Sequence, residues 1–117
     1  MTQAPRSPCP IACTLDLIGD RWTLLIIRDM LFFHKQRFDE FLASPEGIST
    51  NILSNRLKTL EQQGLIEKQP YSNHSRRMHY TLTEKGKSLR PVLKTMIVWG
   101  LRQIPGTQTP DSQQQHE

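Results

Sequence analysis

Two cysteines, Cys9 and Cys13, stand near the start of the chain, and Cys9 is followed by Pro10. Proline suits the first helical position, where its missing N–H costs nothing. Cys9 is therefore expected at a helix N-cap, facing unpaired backbone N–H groups and the positive end of the helix dipole. Both favour the thiolate, and so reaction with oxidants and electrophiles. The plainer reading is a small apolar residue packed at a seam, as free cysteines often are. Cys13 falls on the same helical face. A Cys9–Cys13 disulfide within an intact helix would be strained, so an intersubunit bond or a mixed disulfide is the expected product of any oxidation. His34, His74, His79 and His116 add no ligand spacing that closes a tetrahedron with these thiols. No structural zinc and no cofactor are expected. The chain has no Gly-rich phosphate loop, no nucleophile motif and no carboxylate pair that stands out from surface charge, so no enzyme is expected. Asp39 and Glu40 read as a solvated pair.

A second set of residues is suited to reading a polyanion. With Ser49 at zero and 100° per residue, Leu53, Leu57 and Leu60 share one arc of a helix. Thr50, Asn51, Ser54, Asn55 and Lys58 lie on the opposite side, and from Thr50 to Lys58 that side carries no carboxylate. Hydroxyls and amides can meet base edges, and a lysine can meet a phosphate. A polar face is ordinarily just a solvated face, but solvated faces normally mix Glu with Lys. Arg76, closing the polar segment Ser72 to Arg76, and Arg77, which opens the strand after it, have no neighbouring acid. They suit phosphate or minor-groove contacts. Arg37 could touch backbone phosphate or be a plain surface charge.

These residues must be held by elements, and the sequence marks them. Cys9 caps a helix to about Ile18, closed by Gly19. Asp20 caps the next, Arg21 to about Phe33, with Trp22, Leu25, Ile26, Met30 and Phe33 toward the core. That helix is apolar almost all round, which means burial from several sides. Arg37 to Ala43 forms a short helix, Ser44-Pro45-Glu46-Gly47 a turn, and Ser49 opens the helix that ends at Gly64. Leu65 to Tyr71 and Arg77 to Leu82 read as antiparallel strands, with Pro70 at an edge or strand end. Thr83 caps the last helix, and Pro91 should kink or split it. Helix, tight turn, capped helix, hairpin is the winged helix-turn-helix order: mostly α with a small antiparallel β-hairpin.

The chain has 117 residues, enough for one domain. The expected division is a disordered tail over 1–8, a domain over 9–104, and a second disordered tail over 105–117, rich in Gln, Pro and Thr. Basic side chains number 15 and acidic ones 11. Setting aside the last thirteen residues, with Asp111 and Glu117, leaves 15 basic against 9 acidic side chains. That excess permits a polyanion partner. No apolar run approaches the ~20 residues of a membrane span, and the start lacks the apolar segment of a secretory signal. A cytoplasmic protein without a membrane partner is expected.

In joint order and spacing the chain resembles the HxlR-type regulators, a branch of the MarR-like winged helix-turn-helix transcription factors. The resemblance is carried by Cys9-Pro10-Ile11, Leu15-Asp16-Leu17-Ile18-Gly19-Asp20-Arg21-Trp22, Arg37-Phe38-Asp39-Glu40-Phe41 and Gly47-Ile48-Ser49. It continues through Leu53, Arg56-Leu57, Leu60-Glu61 and Gly64-Leu65-Ile66. Tyr80-Thr81-Leu82-Thr83-Glu84-Lys85-Gly86, Pro91-Val92-Leu93 and Trp99-Gly100 complete it. It implies a homodimer joined through the N- and C-terminal helices and a double-stranded operator DNA as partner, with repression the expected outcome. Leu93, Met96, Ile97 and Trp99 are the candidate dimer contacts, the alternative being packing within one subunit. Several family members use the matching N-terminal cysteine as a redox or electrophile sensor, which makes Cys9 the candidate sensing residue. The effector would be an oxidant, a small electrophile or a ligand; Met30, Met96 and Trp99 could line a small apolar pocket, though such a stripe is usually core. The family's wing tip often carries prolines, and here it reads Ser72-Asn73-His74-Ser75. The alternatives are a small-ligand-responsive regulator whose cysteines only pack, and a winged-helix protein-interaction module.

Overall fold

Phe41, Ile27, Leu53, Leu57, Leu60 and Ile66 are fully buried side chains, and they come from four different elements that close on one core. The computed structural model describes residues 5–70 and 78–110. The elements are α1 (Pro10–Ile18), α2 (Thr23–Phe32), α3 (Phe38–Leu42), α4 (Thr50–Gln62), β1 (Ile66–Pro70), β2 (Met78–Leu82), α5 (Glu84–Lys87) and α6 (Arg90–Gln103). The fold is mostly helical with one two-stranded antiparallel sheet, the winged helix-turn-helix order expected from the sequence.

Proline at the start of α1 and an extended Cys9 set the first helix as its sequence predicts. Only Ile18 of α1 is buried, so its apolar side is left uncovered. The second helix begins two residues later than Asp20 suggests. The Asp20 carboxylate accepts from the backbone N–H of Trp22 and of Thr23, both at 3.0 Å, and so satisfies two of the first free donors from a distance. Arg21 and Trp22 occupy the turn it stabilises. Six of the ten residues of α2 are buried, including Asp29, which accounts for its apolar character on every side. It ends through His34 at φ 56°, the left-handed conformation usually given to glycine, with the Lys35 N–H donating to the Asp29 carbonyl.

The strands pair from Ile66 with Leu82 to Pro70 with Met78, placing Pro70 at a strand end. The expected strand ends Tyr71 and Arg77 lie outside the described residues. All five residues of β2 are half-buried rather than alternating. The reason is a second neighbour: the Tyr80 N–H donates to the Gln36 carbonyl at 2.7 Å, so β2 lies between β1 and the α2–α3 loop. Tyr80 also packs edge-on against Phe41, with ring centroids 6.3 Å apart.

The last helical stretch is split, as Pro91 foretold. Four residues form α5, Ser88 and Leu89 break the run, and Pro91 sits in the first turn of α6. Where α4 ends, the chain is fastened to the start of α5. The Thr83 hydroxyl donates to the Gly64 carbonyl at 2.6 Å and the Lys85 ammonium to the Gln63 carbonyl at 2.9 Å. A Cβ on Gly86 would stand 2.2 Å from the Leu65 carbonyl oxygen, so no side chain fits there.

Residues assigned to the tails take defined positions where they are described. Arg6 ion-pairs with Asp16 at 2.8 Å, and the Cys9 N–H donates to the Ser7 hydroxyl. Past α6, Gly106 turns the chain at φ 85°, and the Thr107 hydroxyl donates to the Gly100 and Ile104 carbonyls. Residues 107–110 then run beside the groove between α2 and α6.

Candidate nucleic-acid interface

Helix α4 is held from beneath and from both ends. Leu53, Leu57 and Leu60 are each no more than 2% exposed. Ser49 caps its start, accepting from the Ile52 N–H at 3.2 Å. Gly47, at φ 75°, makes the preceding turn. Thr50, Asn51, Ser54, Asn55 and Lys58 are all exposed, and Ser49 with them. The rod therefore presents hydroxyls, amides and an ammonium to solvent, with leucines behind them.

The turn before α4 is anchored by charges that sequence reading did not connect. Arg28 donates through Nε and Nη2 to Asp29, at 3.0 and 2.8 Å, and through Nη1 and Nη2 to Glu46, at 2.7 and 2.9 Å. The Ser44 hydroxyl donates to the other Asp29 oxygen and accepts from the Lys35 ammonium at 2.9 Å. Arg28 and Lys35 both lie over the Phe33 ring, 5.8 Å from its centroid. Central helix, loop and α3–α4 turn thus share one buried carboxylate with two cations beside it. Donation from Arg28 holds the Glu46 carboxyl below its ordinary value against desolvation. Burial works to lower Arg28, yet Glu46 and Asp29 together raise it.

Arg37 caps α3 without a side-chain bond to the helix end. Its guanidinium stands 3.7 Å from both Asp39 and Glu40, so its charge is partly answered within the chain. Glu40 accepts from the Gln36 and Arg37 N–H groups, and these bonds, the Gln36 one foremost, hold its carboxyl below the usual range. Asp39 and Glu40 are therefore not an equivalent pair: Glu40 is a helix-start acceptor and Asp39 is exposed. Arg76 and Arg77 lie outside the described residues.

Arg56 was not among the expected contacts. It is half-buried on the side of α4 away from the outward set, donates to the side-chain oxygen of its neighbour Asn55, and lies 3.5 Å from Asp20. The sequence signal for it was an arginine beside Asn55 in a helix whose first eleven residues carry no acid.

A family model described as HxlR-like helix-turn-helix matches residues 17–108, which takes in α2, the α3–turn–α4 unit, both strands and α6. The chain belongs to this family. Among curated relatives of this HxlR-like chain, the HTH-type transcriptional regulator Rv3095 of Mycobacterium tuberculosis is 39% identical over 102 residues. That match covers 87% of the chain and 63% of Rv3095, so the chain spans less than two thirds of that relative's length. Among solved structures, the redox regulator HypR in its reduced form is similar at a TM-score of 0.72 and 32% identity, over 80% of this chain and 92% of HypR. The reduced form of the transcriptional regulator YodB from B. subtilis matches at 0.69 and 34%, over 87% of this chain and all of YodB.

The cysteines of the HxlR-like chain differ in surroundings. Cys9 is exposed at the α1 cap, and Cys13 is half-buried with its thiol donating to the Ser7 carbonyl at 3.1 Å. Of the four candidate dimer residues, Met96 and Trp99 are exposed at 52% and 62%, Ile97 is half-buried, and Leu93 is buried in the subunit's own core. Ile11 and Leu15 of α1 are exposed as well. Leu93, Met96 and Ile97 line one side of an apolar groove of about 240 Å³ between α2 and α6, whereas Met30 and Trp99 do not reach it. No helix among the described residues is long and apolar enough to cross a membrane.

Proposed function

We propose that this chain is a sequence-specific DNA-binding transcriptional regulator of the cytoplasm, acting as a homodimer and repressing the genes it controls. The observation that carries the reading is the exposed face of hydroxyls, amides and Lys58 from Thr50 to Lys58, with no carboxylate before Glu61 in the last turn, over the buried leucines of α4. Inserted in a major groove, Thr50, Asn51, Ser54 and Asn55 meet base edges, and Lys58 meets phosphate. Arg76 and Arg77, between the two strands in sequence, and Arg37 to a lesser degree given its acidic neighbours, supply further phosphate contacts. Uncovered apolar residues on α1 and α6 support pairing through the first and last helices. Two half-sites then lie about one helical turn of DNA apart, or a multiple of it.

The test is binding to duplex DNA from upstream of the protein's own gene, titrated with salt. Arg77→Ala should weaken binding to every sequence and flatten the salt slope by about one unit. Asn51→Ala should relax preference at particular bases. The protein-interaction reading predicts no salt-dependent duplex binding at all.

Thiol response through Cys9 is supported by its exposure at the α1 cap and by the likeness to HypR, a redox regulator. Repeating the titration with a mild oxidant should release DNA from the unchanged protein and not from Cys9→Ser. The apolar groove between α2 and α6 favours a second reading, response to a small apolar ligand with the cysteines as packing groups. Oxidant release that persists in Cys9→Ser removes the Cys9 switch.

A further inference from the structure

On the outward face of α4, Asn55 differs from its neighbours because its side-chain oxygen is already engaged. Arg56 donates to it through Nη2 at 2.7 Å and through Nε at 3.3 Å. The carboxamide oxygen has two lone pairs, and with both Arg56 donors on them the side chain presents its NH₂ group to a partner. Arg56 has a second partner on its other side. Its Nη1 lies 3.5 Å from Asp20, and its side chain is 26% exposed. Asp20 is itself fixed by the Thr23 hydroxyl and by the N–H groups of Trp22 and Thr23. A chain of contacts thus runs from the α1–α2 corner through Arg56 to one amide of the recognition face.

We infer that Arg56 is a positioning residue for base recognition: by occupying the Asn55 carbonyl it turns that amide into a donor-only reader. The inference rests on the DNA-binding reading above. An unconstrained asparagine pairs bidentately with adenine, accepting from N6 and donating to N7. With the carbonyl held by Arg56, the adenine N6 amino group has no acceptor to meet. Guanine offers N7 and O6, two acceptors side by side, and suits an outward NH₂ group. The position facing Asn55 is therefore read as guanine in preference to adenine. Removing the guanidinium frees the carbonyl and restores the adenine pattern.

The experiment selects binding sites from a randomised duplex library with the full chain, Arg56→Met and Asn55→Ala in parallel. Arg56→Met keeps side-chain length and loses the donors. Its guanine-to-adenine preference should shift toward adenine by about fivefold or more, the low end of what one base contact discriminates. The shift should fall at the base pair where Asn55→Ala loses preference. Arg56→Lys, which keeps a cation beside Asp20 without the fork, should shift the same way and serves if the Met variant does not fold. A residue that merely staples α4 to the α1–α2 corner would lower the melting temperature and leave base preference unaltered. Unaltered preference in the folded variants, or a change only at some other base pair, overturns the inference while the DNA-binding reading stands. Failure of the unchanged chain to bind duplex DNA overturns both.

Discussion

The carboxylates of Asp20, Glu40 and Glu46 are all engaged by donors in the folded chain. For Asp20, burial acts to raise the value, but donation by Thr23 and the Trp22 and Thr23 N–H groups, with Arg56 nearby, holds it below the ordinary 3.8. Glu40 and Glu46 lie below the ordinary 4.5, held by backbone N–H groups and by Arg28 respectively. A depressed folded value means that the unfolded chain takes up protons first as pH falls. The stabilisation is therefore complete above about pH 5 and is lost as pH drops through the range below it. Thermal melts should give a midpoint that these groups leave unchanged from pH 7 to 5 and that declines steadily toward pH 3. A midpoint insensitive to acid over that lower range would contradict the assigned bonds. The sequence showed Arg28 and Asp29 only as an interruption in an apolar run. Their partners Ser44 and Glu46 come 15 residues after Asp29 and 18 after Arg28, a separation that no local pattern connects. The same limit hid Arg56, whose partner Asp20 belongs to another helix junction.

Single elements were more legible, because helical spacing and caps are local. The leucine arc and Ser49 placed α4, and the fold agrees on both faces. Ser49→Ala removes the acceptor for the Ile52 N–H and should cost about 1 kcal/mol in urea unfolding. Leu57→Ala, made in the packed arc, should cost about 2–5 kcal/mol, so the inward face outweighs the cap. Equal losses from the two would mean that the leucine side is less tightly enclosed than its burial indicates. The start of α2 was misplaced because a carboxylate can cap across two residues of turn. The end of α2 carries His34 where glycine is the usual signal, so nothing in the residue types announced the reversal. The uniform burial of β2 also escaped the sequence, since its second neighbour is a loop rather than a strand.

For the molecule as a whole, the decisive surface is what remains uncovered. Ile11 and Leu15 on α1, with Met96 and Trp99 on α6, are exposed apolar side chains that the proposed pairing would bury. On the proposed pairing, the unchanged chain should sediment as a dimer at micromolar concentration and Trp99→Lys as a monomer, with the helical circular dichroism unchanged. An unaltered dimer would locate the subunit contact elsewhere. The sequence supplied the apolar content of α6 but not its division between inside and outside: Leu93 went inward, and Met96 and Trp99 did not. That division depends on how α6 crosses α2, which is a tertiary matter.

The corner at Gly64 and Thr83 has a mechanical consequence. Carbonyls just past the far end of the reading helix are gripped by residues that open α5, and Gly86 leaves no slack against Leu65. A short break at Ser88 and Leu89 is all that separates this weld from α6. A tilt of α6 is therefore expected to reach the end of α4 through α5 and these two bonds, so that the terminal helix and α4 are coupled at this corner.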